Sequence, residues 1–321
     1  MTRAPSSPSS SSQPPPPLPS PDMARLIGFY GRGARRLTVF EDGGGLFAEG
    51  LGAVRAPFGP PTDGLRQAPG PAALVLDDRG QTPVVRIGDE ALAWRDLDAE
   101  AAAIPPAATR QAEPQDRLVA APPAEPGPFQ PDDLVDVTAV DPALRLDIRY
   151  ATTNNFMGVA LYDRPLACLQ RPAAQALAQA HADLRAQGFG LVVFDAYRPW
   201  SVTRLFWQAI DPRWRAYVAD PAVGSKHNRG CAVDLTLCDL VTGAQADMPS
   251  RYDEASPRAH ADFIGGSARQ RWLRERLRAA MAVAGFTVEP LEWWHFDFHA
   301  WRDYRLSDIP LAALDGGGPR G

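Results

Sequence analysis

The chain has 321 residues, of which 45% are hydrophobic, 22% are charged and 33 residues are proline. This composition excludes a wholly disordered protein and a small protein held together by disulfides. The formal net charge of −5 gives no electrostatic reason to expect nucleic acid as a partner. No stretch reaches the roughly 18 apolar residues that a membrane-spanning helix needs, so we expect no membrane span.

The first 22 residues are rich in proline and serine and contain no apolar core. Such a segment cannot bury enough surface to fold, so we predict a disordered tail over residues 1–22. A secretory signal needs an apolar region, and none is readable here. The three cysteines have no CxxC spacing and indicate free thiols. These features favour a cytoplasmic location, with a periplasmic one as the alternative if translation starts elsewhere.

Residues 23–103 contain short apolar runs, for example at 37–40, 73–76 and 83–87, separated by glycine and aspartate clusters. This pattern predicts a small β-rich module. Its acidic residues have no spacing that singles out a site, so the role of the module stays unknown. A second proline-rich stretch follows at residues 104–131 and predicts an extended linker or an arm that wraps around the neighbouring domain.

Residues 132–313 contain seven of the eight tryptophans and all five histidines, so any histidine chemistry belongs to this part. Hydrophobic periodicity, a capping-box pattern and glycine stops predict alternating helices and strands. The predicted helices cover 172–187, start near 200 and run from 267 to 285, and the predicted strands cover 190–195, 286–288 and 293–298. This order predicts an α+β domain with a mainly antiparallel sheet packed with helices, followed by a flexible tail at 314–321.

Two short clusters contain the residue types of a metal site. The first includes His227 and Asp234, and the second includes Glu292 and His295. A catalytic zinc site needs three protein ligands and leaves one position for water, and the two histidines with Asp234 would make that set. Glu292 is then free to act as the proton-transferring base. Because strand residues three apart point to opposite faces, Glu292 must lie at a strand entrance or a bulge to face the same metal.

Several other residues of these segments allow different interpretations. A Ser-His-Asp hydrolase would use Ser225, but no GxSxG context surrounds it. Cysteine is a soft zinc ligand, so Cys231 is a possible fourth protein ligand. Such a ligand would close the site to water and abolish catalysis. We expect His181 at the surface or boundary of its helix, and His299 could share the active face. Trp293 and Trp294 are interpreted as packing residues and site walls.

The two clusters together, Ser-x-His-x6-Asp and Glu-x-Trp-His, resemble the joint signature of the zinc D-Ala-D-Ala peptidases, whose fold the Hedgehog signalling domain shares. Three further segments resemble the VanX-type dipeptidases and follow that family's order: DIRYATTNNFMG at 147–158, FDAYRP at 194–199 and MPSRYDEASPRAH at 248–260. The resemblance covers about residues 132–310. It implies a Hedgehog/D,D-peptidase-like fold and a zinc dipeptidase domain over residues 132–313.

The resemblance also implies a role for each matching residue, with one Zn²⁺ per chain. The implied zinc ligands are His227, Asp234 and His295. The implied general base is Glu292, and the residue implied to stabilise the tetrahedral intermediate is Arg198. The implied substrate pocket includes Ser225, Asp253 and Tyr150.

The implied reaction is hydrolysis of the small-molecule dipeptide D-Ala-D-Ala to two D-alanines by attack of a zinc-bound water. Two alternatives stay open: a zinc D,D-carboxypeptidase acting on peptidoglycan peptides, and a non-catalytic zinc-containing binding module. Asp253 opposite the substrate ammonium group favours a free dipeptide over longer peptides. Glu292 and Arg198 favour catalysis, because a structural zinc site needs neither. The patterns leave the oligomeric state open.

Overall fold

The computed structural model describes residues 14–69, 73–97 and 121–314. Most of the predicted tail at 1–22, most of the predicted linker at 104–131 and the chain from 315 onward lie outside those residues. Within the described ranges, no helix combines the length and the apolar character needed to cross a membrane.

The first region, here called the β region, consists of described residues 14–97 and contains two four-stranded antiparallel sheets. In each sheet, strands that follow one another in the chain pair with one another. One hydrophobic core lies between them and includes Tyr30, Leu37 and Leu76. The elements are helix α1 (Pro21–Ala24) and strands β1 (Gly28–Arg32), β2 (Arg35–Asp42), β3 (Gly45–Gly50), β4 (Ala53–Pro57), β5 (Leu65–Ala68), β6 (Leu74–Asp77), β7 (Val84–Ile87) and β8 (Glu90–Ala93).

The second region, here called the α+β region, consists of residues 121–314. Its strands are β9 (Leu134–Asp136), β10 (Arg145–Leu146), β11 (Cys168–Gln170), β12 (Phe189–Asp195), β13 (Ala232–Asp239), β14 (Phe286–Glu289) and β15 (Glu292–Phe298). Its helices are α2 (Val137–Val140), α3 (Arg171–Arg185), α4 (Trp200–Ala209) and α5 (Ala268–Val283).

The main sheet of the α+β region has five strands in the order β10-β12-β13-β15-β14. The pair β10–β12 is parallel, and the other three neighbouring pairs are antiparallel. A two-stranded antiparallel sheet of β9 and β11 accompanies it. The region is therefore a mixed α+β structure with a mainly antiparallel sheet, as the sequence predicts.

Helix α5 begins and ends where its sequence signals lie. The Ser267 hydroxyl accepts a hydrogen bond from the amide of Gln270, and the Gln270 side-chain oxygen accepts one from the amide of Ser267, at 3.1 and 2.9 Å. This capping box satisfies two backbone donors that the first turn would leave unpaired. After the helix, Gly285 adopts a φ of 87°, a left-handed conformation that favours glycine.

Helix α3 carries a histidine whose environment the sequence mispredicts. The expected surface or boundary position of His181 is wrong, because this side chain is only 1% exposed. Its Nδ1 lies 2.7 Å from Oδ2 of Asp141, a residue that follows helix α2. The burial reflects the packing of α3 against α2, which helical periodicity alone does not reveal.

The two regions contact one another at the start of helix α5. The Glu41 carboxylate accepts a hydrogen bond from the amide of Ala268 at 2.9 Å, and the backbone carbonyl of Glu41 accepts one from Arg271 at 2.7 Å. Nearby, the rings of Phe29 and Phe263 meet edge to face at 5.6 Å. The β region therefore packs against the loop and helix that follow the 248–260 segment.

Candidate active site

Strand register brings three acidic and imidazole side chains side by side. Asp234 on β13 pairs with His295 on β15 and, across the other edge, with Asp195 at the end of β12. Directly opposed residues in an antiparallel pair point to the same face of the sheet. The neighbouring residues on β13, Val233 and Leu235, point the other way and belong to the main hydrophobic core.

His227 reaches the same place from a short 3₁₀ turn, Lys226–Arg229, that precedes β13. The Ser225 hydroxyl caps this turn by accepting a hydrogen bond from the amide of His227 at 3.2 Å. Nδ1 of His227 lies 2.6 Å from the carbonyl oxygen of Ala196. Because that carbonyl can only accept, it selects the tautomer with a proton on Nδ1 and a free lone pair on Nε2. Gly230 ends the turn with a φ of 65°.

The atoms of His227, Asp234 and His295 that face one another form a compact cluster of possible metal ligands. Nε2 of His227 lies 3.1 Å from Nδ1 of His295, and these nitrogens lie 3.3 and 3.0 Å from Oδ1 of Asp234. Oδ1 is buried and accepts no hydrogen bond from any described residue. Tetrahedral ligands bound to zinc at about 2.0–2.1 Å stand roughly 3.3 Å apart, so the spacing fits this metal.

The charges around this cluster favour an ionised aspartate. Burial alone would raise the pKa of Asp234, but the adjacent His227 and His295 hold it well below its usual range. Its second oxygen, Oδ2, accepts a hydrogen bond from the Tyr252 hydroxyl at 2.9 Å. Asp234 is thus oriented through Oδ2, which leaves Oδ1 directed at the two histidines.

Glu292 occupies the first position of β15, next to an irregularity in the β14–β15 register at Val288 and Glu289. This location lets Glu292 approach His295 although the two residues are three apart: its Oε2 lies 3.8 Å from Nδ1 of His295. Burial raises the pKa of Glu292 to about 7, with His295 acting in the opposite direction and Asp234 adding to the rise. A carboxyl group with such a pKa can both accept and return a proton near neutral pH.

Arg198 lies in the loop between β12 and α4 and is 8% exposed. Its Nε and Nη2 donate hydrogen bonds to Oδ2 of Asp195 at 2.9 and 2.7 Å, and Nη2 is 3.8 Å from Oδ2 of Asp234. The guanidinium group also packs over the rings of Tyr150 and Phe206. Burial acts to lower the pKa of Arg198, but Asp195 and the other acidic groups around it together raise that pKa well above its usual value, so the side chain stays cationic beside the cluster.

Tyr150 and Asp253 meet on another wall. The Tyr150 hydroxyl lies 3.1 and 3.0 Å from the two carboxylate oxygens of Asp253. Asp253 adopts a φ of 61°, which is uncommon for a non-glycine residue and places its side chain in this position. Burial, with the charges of Asp234 and Glu292, raises the pKa of Asp253 well above its usual value. Its ionised form therefore gains from a cation brought in by a ligand.

All eight residues to which the family resemblance assigns a role line one cavity of about 830 Å³. This volume lies within the range of small-molecule sites. Trp294 contributes to the wall, while buried Trp293 donates a hydrogen bond from its indole nitrogen to Ser250 at 2.8 Å. The remaining lining is largely apolar and includes Phe206, Trp214 and Val218.

Two other candidate residues lie outside the ligand cluster. Cys231 is buried as a free thiol and does not belong to the possible metal-ligand group found among the described residues. His299 is exposed, its Nδ1 lies 3.2 Å from the Gly285 carbonyl, and it does not line the cavity. The position of Cys231 therefore does not support a role as a fourth ligand. The position of His299 does not support a role at the cavity.

Sequence reasoning missed the residues that hold the site in place. They are Asp195, which pairs with Arg198, Tyr252, which bonds Asp234, and Asp297, whose Oδ1 lies 2.9 Å from Nε2 of His295. Only the Asp-x-x-Arg spacing within FDAYRP offered a sequence signal for one of these pairs. The contact of Asp297 with His295 depends on the alternation of side chains along β15, and the contact of Tyr252 with Asp234 depends on the conformation of a loop.

Comparison with known proteins places the α+β region in one family. A family model described as D-ala-D-ala dipeptidase (Peptidase_M15) matches residues 130–304. A D-alanyl-D-alanine dipeptidase of Escherichia coli K12 is 37% identical over 175 residues, which make up 54% of this chain and 89% of that protein. Dipeptidases of the same name from Enterococcus faecium and Streptomyces coelicolor are 34% and 33% identical, covering 48% and 51% of this chain and 85% and 90% of their own lengths.

Proposed function

Because the chain belongs to the D-Ala-D-Ala dipeptidase family of metal-dependent M15 peptidases, we propose that it is a zinc-dependent hydrolase that cleaves D-Ala-D-Ala into two D-alanines. One observation carries the proposal: the possible ligands His227, Asp234 and His295 share a cavity with a partly buried carboxyl group, Glu292, and a buried cation, Arg198. A binding module would have no need of the last two.

His227, Asp234 and His295 would hold the zinc ion, since two imidazole nitrogens and one carboxylate oxygen are a common donor set for catalytic zinc. The orphaned Oδ1 of Asp234 supports this assignment, because a buried oxygen without a hydrogen bond is costly unless another partner satisfies it. When bound, zinc polarises a carbonyl group and lowers the pKa of a water molecule in its coordination shell.

Glu292 would take the proton from the attacking water and deliver it to the leaving amine. Its Oε2 lies 3.8 Å from Nδ1 of His295, which puts the carboxyl group next to the proposed metal position without using it as a ligand. The same residue can serve both steps, because the proton that it accepts in the first is the one that it donates in the second.

Arg198 would stabilise the negative charge that develops on the former carbonyl oxygen. Its Nε and Nη2 are occupied by Asp195, which fixes the plane of the guanidinium group before substrate arrives. Such preorganised donors lower the barrier because they need no reorientation during the reaction. The aromatic rings beside Arg198 keep water away and strengthen this electrostatic effect.

Asp253, Tyr150 and Ser225 would shape the substrate pocket. Asp253 supplies a carboxylate for the ammonium group of a free dipeptide, and the Tyr150 hydroxyl orients that carboxylate. A longer peptide has no ammonium group at this position and would leave the partly buried Asp253 without a cation, so the arrangement favours the dipeptide. Ser225 holds the turn that carries His227.

The same proposal covers the remaining assignments. We expect the α+β region to have the Hedgehog/D,D-peptidase fold and to act as the dipeptidase domain over residues 132–313, with the β region and linker outside it. The free state of Cys168, Cys231 and Cys238 fits a reducing compartment and supports a cytoplasmic location.

The test is release of D-alanine by the zinc-loaded full chain from D-Ala-D-Ala and from a pentapeptide that ends in D-Ala-D-Ala. We expect cleavage of the dipeptide alone, and loss of turnover without unfolding when a chelator removes the metal. Cleavage of the pentapeptide would move the function to a D,D-carboxypeptidase. No cleavage of either substrate by a chain that binds zinc would favour a binding module.

A further inference from the structure

The two histidines of the metal-ligand cluster are held in different ways. For His227, the backbone carbonyl of Ala196 accepts a hydrogen bond from Nδ1, the nitrogen that faces away from the cluster. For His295, the outward nitrogen is Nε2, and its partner is a side chain: Oδ1 of Asp297 at 2.9 Å. Asp297 lies two residues further along β15 and therefore points to the same face of the sheet as His295.

Asp297 is in turn held by a residue from the other ligand-bearing segment. Its Oδ2 lies 3.1 Å from Nζ of Lys226, which directly precedes His227 in the 3₁₀ turn. Asp297 is 14% exposed and Lys226 is 33% exposed, so the ion pair is partly shielded from water. One carboxylate thus links the strand that carries His295 to the turn that carries His227.

We propose that Asp297 is a positioning residue that fixes the tautomer and the ring orientation of His295 for metal binding, and that Lys226 holds Asp297 in place. An ionised carboxylate can only accept, so it selects the form of His295 with a proton on Nε2 and a free lone pair on Nδ1. That lone pair then faces His227 and Asp234 at 3.1 and 3.0 Å. The inference rests on the proposed function in that it requires a metal at this site.

Outer partners of metal-bound histidines raise the basicity of the ligand as well as orienting it. The loss of such a partner typically weakens metal binding by about 10- to 100-fold. Asp297→Asn keeps the size of the side chain but removes its charge, and its amide group can donate to Nε2 and so favour the wrong tautomer. We therefore expect zinc affinity in this variant to fall by about 10- to 100-fold.

Glu289→Gln provides the matched control. Glu289 is the other carboxylate near Lys226, with Oε2 3.9 Å from Nζ, and it lies on β14 beside the same hairpin. It makes no described contact with His227 or His295. If Asp297 acts through His295, Glu289→Gln binds zinc as the unaltered chain does. If the two variants lose zinc affinity equally, net charge explains the effect and the proposal is wrong.

Zinc affinity is measured on the full chain by competition with a chromophoric chelator, without substrate. The result is therefore independent of whether the chain hydrolyses D-Ala-D-Ala. Unfolding curves of the zinc-free proteins check that Asp297→Asn retains its fold. Unchanged zinc affinity in a folded Asp297→Asn variant would overturn the inference.

A second measurement needs no variant of Asp297. In the zinc-loaded unaltered chain, ¹⁵N NMR of the five histidine rings distinguishes protonated from metal-bound nitrogens. We expect His295 to bind through Nδ1 with a proton on Nε2, and His227 to show the reverse arrangement. Binding of His295 through Nε2 would contradict the proposed role of Asp297 whatever the behaviour of the variants.

Discussion

The β region and the α+β region differ most in the polar groups that they bury. Among the described residues, the β region buries only Thr38 and Glu41 as polar or charged side chains. The α+β region buries many, and several of them, including Arg198, His227 and Asp234, line one cavity. Burying such groups is unfavourable unless they are paired. Their concentration at one cavity is therefore typical of a functional site, where a protein tolerates a loss of stability.

Glu41 is the informative exception in the β region. Its carboxylate accepts hydrogen bonds from the amides of Gly44 at 2.7 Å and Ala268 at 2.9 Å, the latter at the first residue of helix α5. The buried Glu41 carboxylate therefore stabilises the contact between the two regions. It makes no described contact with the proposed metal ligands. The comparison predicts that changes in the cavity affect turnover, whereas changes at this contact affect stability.

The largest effect is expected for Glu292→Ala. This variant removes the proposed base while leaving the three proposed ligands, so kcat should fall by about 10²- to 10⁴-fold with zinc content unchanged. Steady-state kinetics with D-Ala-D-Ala and metal analysis of the same sample test both parts. Glu275→Gln, which changes a half-exposed carboxylate on α5, is the control and should leave kcat unaltered. Retained turnover in Glu292→Ala would remove this residue as the base.

Next in size is the effect of His295→Ala on metal binding itself. Loss of one of three protein ligands should weaken zinc binding by more than the roughly 100-fold expected when only an outer partner is lost. Metal content after dialysis against a weak chelator gives the answer. A variant that keeps its zinc under these conditions would contradict the assignment of His295 as a ligand.

A smaller and selective effect is expected for Asp253→Asn. Loss of the charge opposite the substrate ammonium group should raise KM for D-Ala-D-Ala by about 10- to 100-fold, the usual range for a hydrogen bond to a charged group. The ratio of kcat/KM for the dipeptide to that for an N-acylated analogue should fall accordingly. Asp262→Asn, an exposed aspartate of the same loop, serves as the control. An unchanged ratio would show that Asp253 does not select the free amine.

The smallest effect is expected at the contact between the regions. Glu41→Gln weakens a charged partner of the first amide of α5 and should destabilise the chain by about 0.5–2 kcal/mol, in the range of helix-capping substitutions. Urea unfolding measures this change, with Glu49→Gln on neighbouring strand β3 as the control. kcat should remain the same in both variants. Equal urea midpoints for the two would contradict a specific role of Glu41.

The parts of the structure that local signals determine were predictable. Ser267 with Gln270 marks the start of α5, and the apolar run at 190–195 forms most of β12. The three proposed ligands and Glu292 were also identifiable by type and spacing, because zinc chemistry requires imidazoles and carboxylates in a small set of combinations. The other proposed site residues followed from the family resemblance alone. The meeting of the ligands in one cavity follows from the pairing of Asp234 with His295.

The supporting contacts could not be predicted, since each depends on tertiary packing. Tyr252 reaches Asp234 from a loop, and no periodicity indicates which tyrosine of the chain does so. Asp297 reaches His295 because the side chains of β15 alternate between the two faces of the sheet. It meets Lys226 because the turn before β13 brings that lysine close. The burial of His181 likewise depends on the neighbouring helix α2 rather than on the spacing within α3.

Lys226 is the one lysine in the whole sequence. Apart from the amino terminus, reagents that acylate amines therefore have a single side chain to modify, and it stands directly before a proposed zinc ligand. Coupling the protein to an amine-reactive resin or dye would attach the label at the mouth of the cavity and break the ion pair with Asp297. Immobilisation and fluorescent tagging of this chain should instead use a different chemistry, such as an engineered cysteine on the β region.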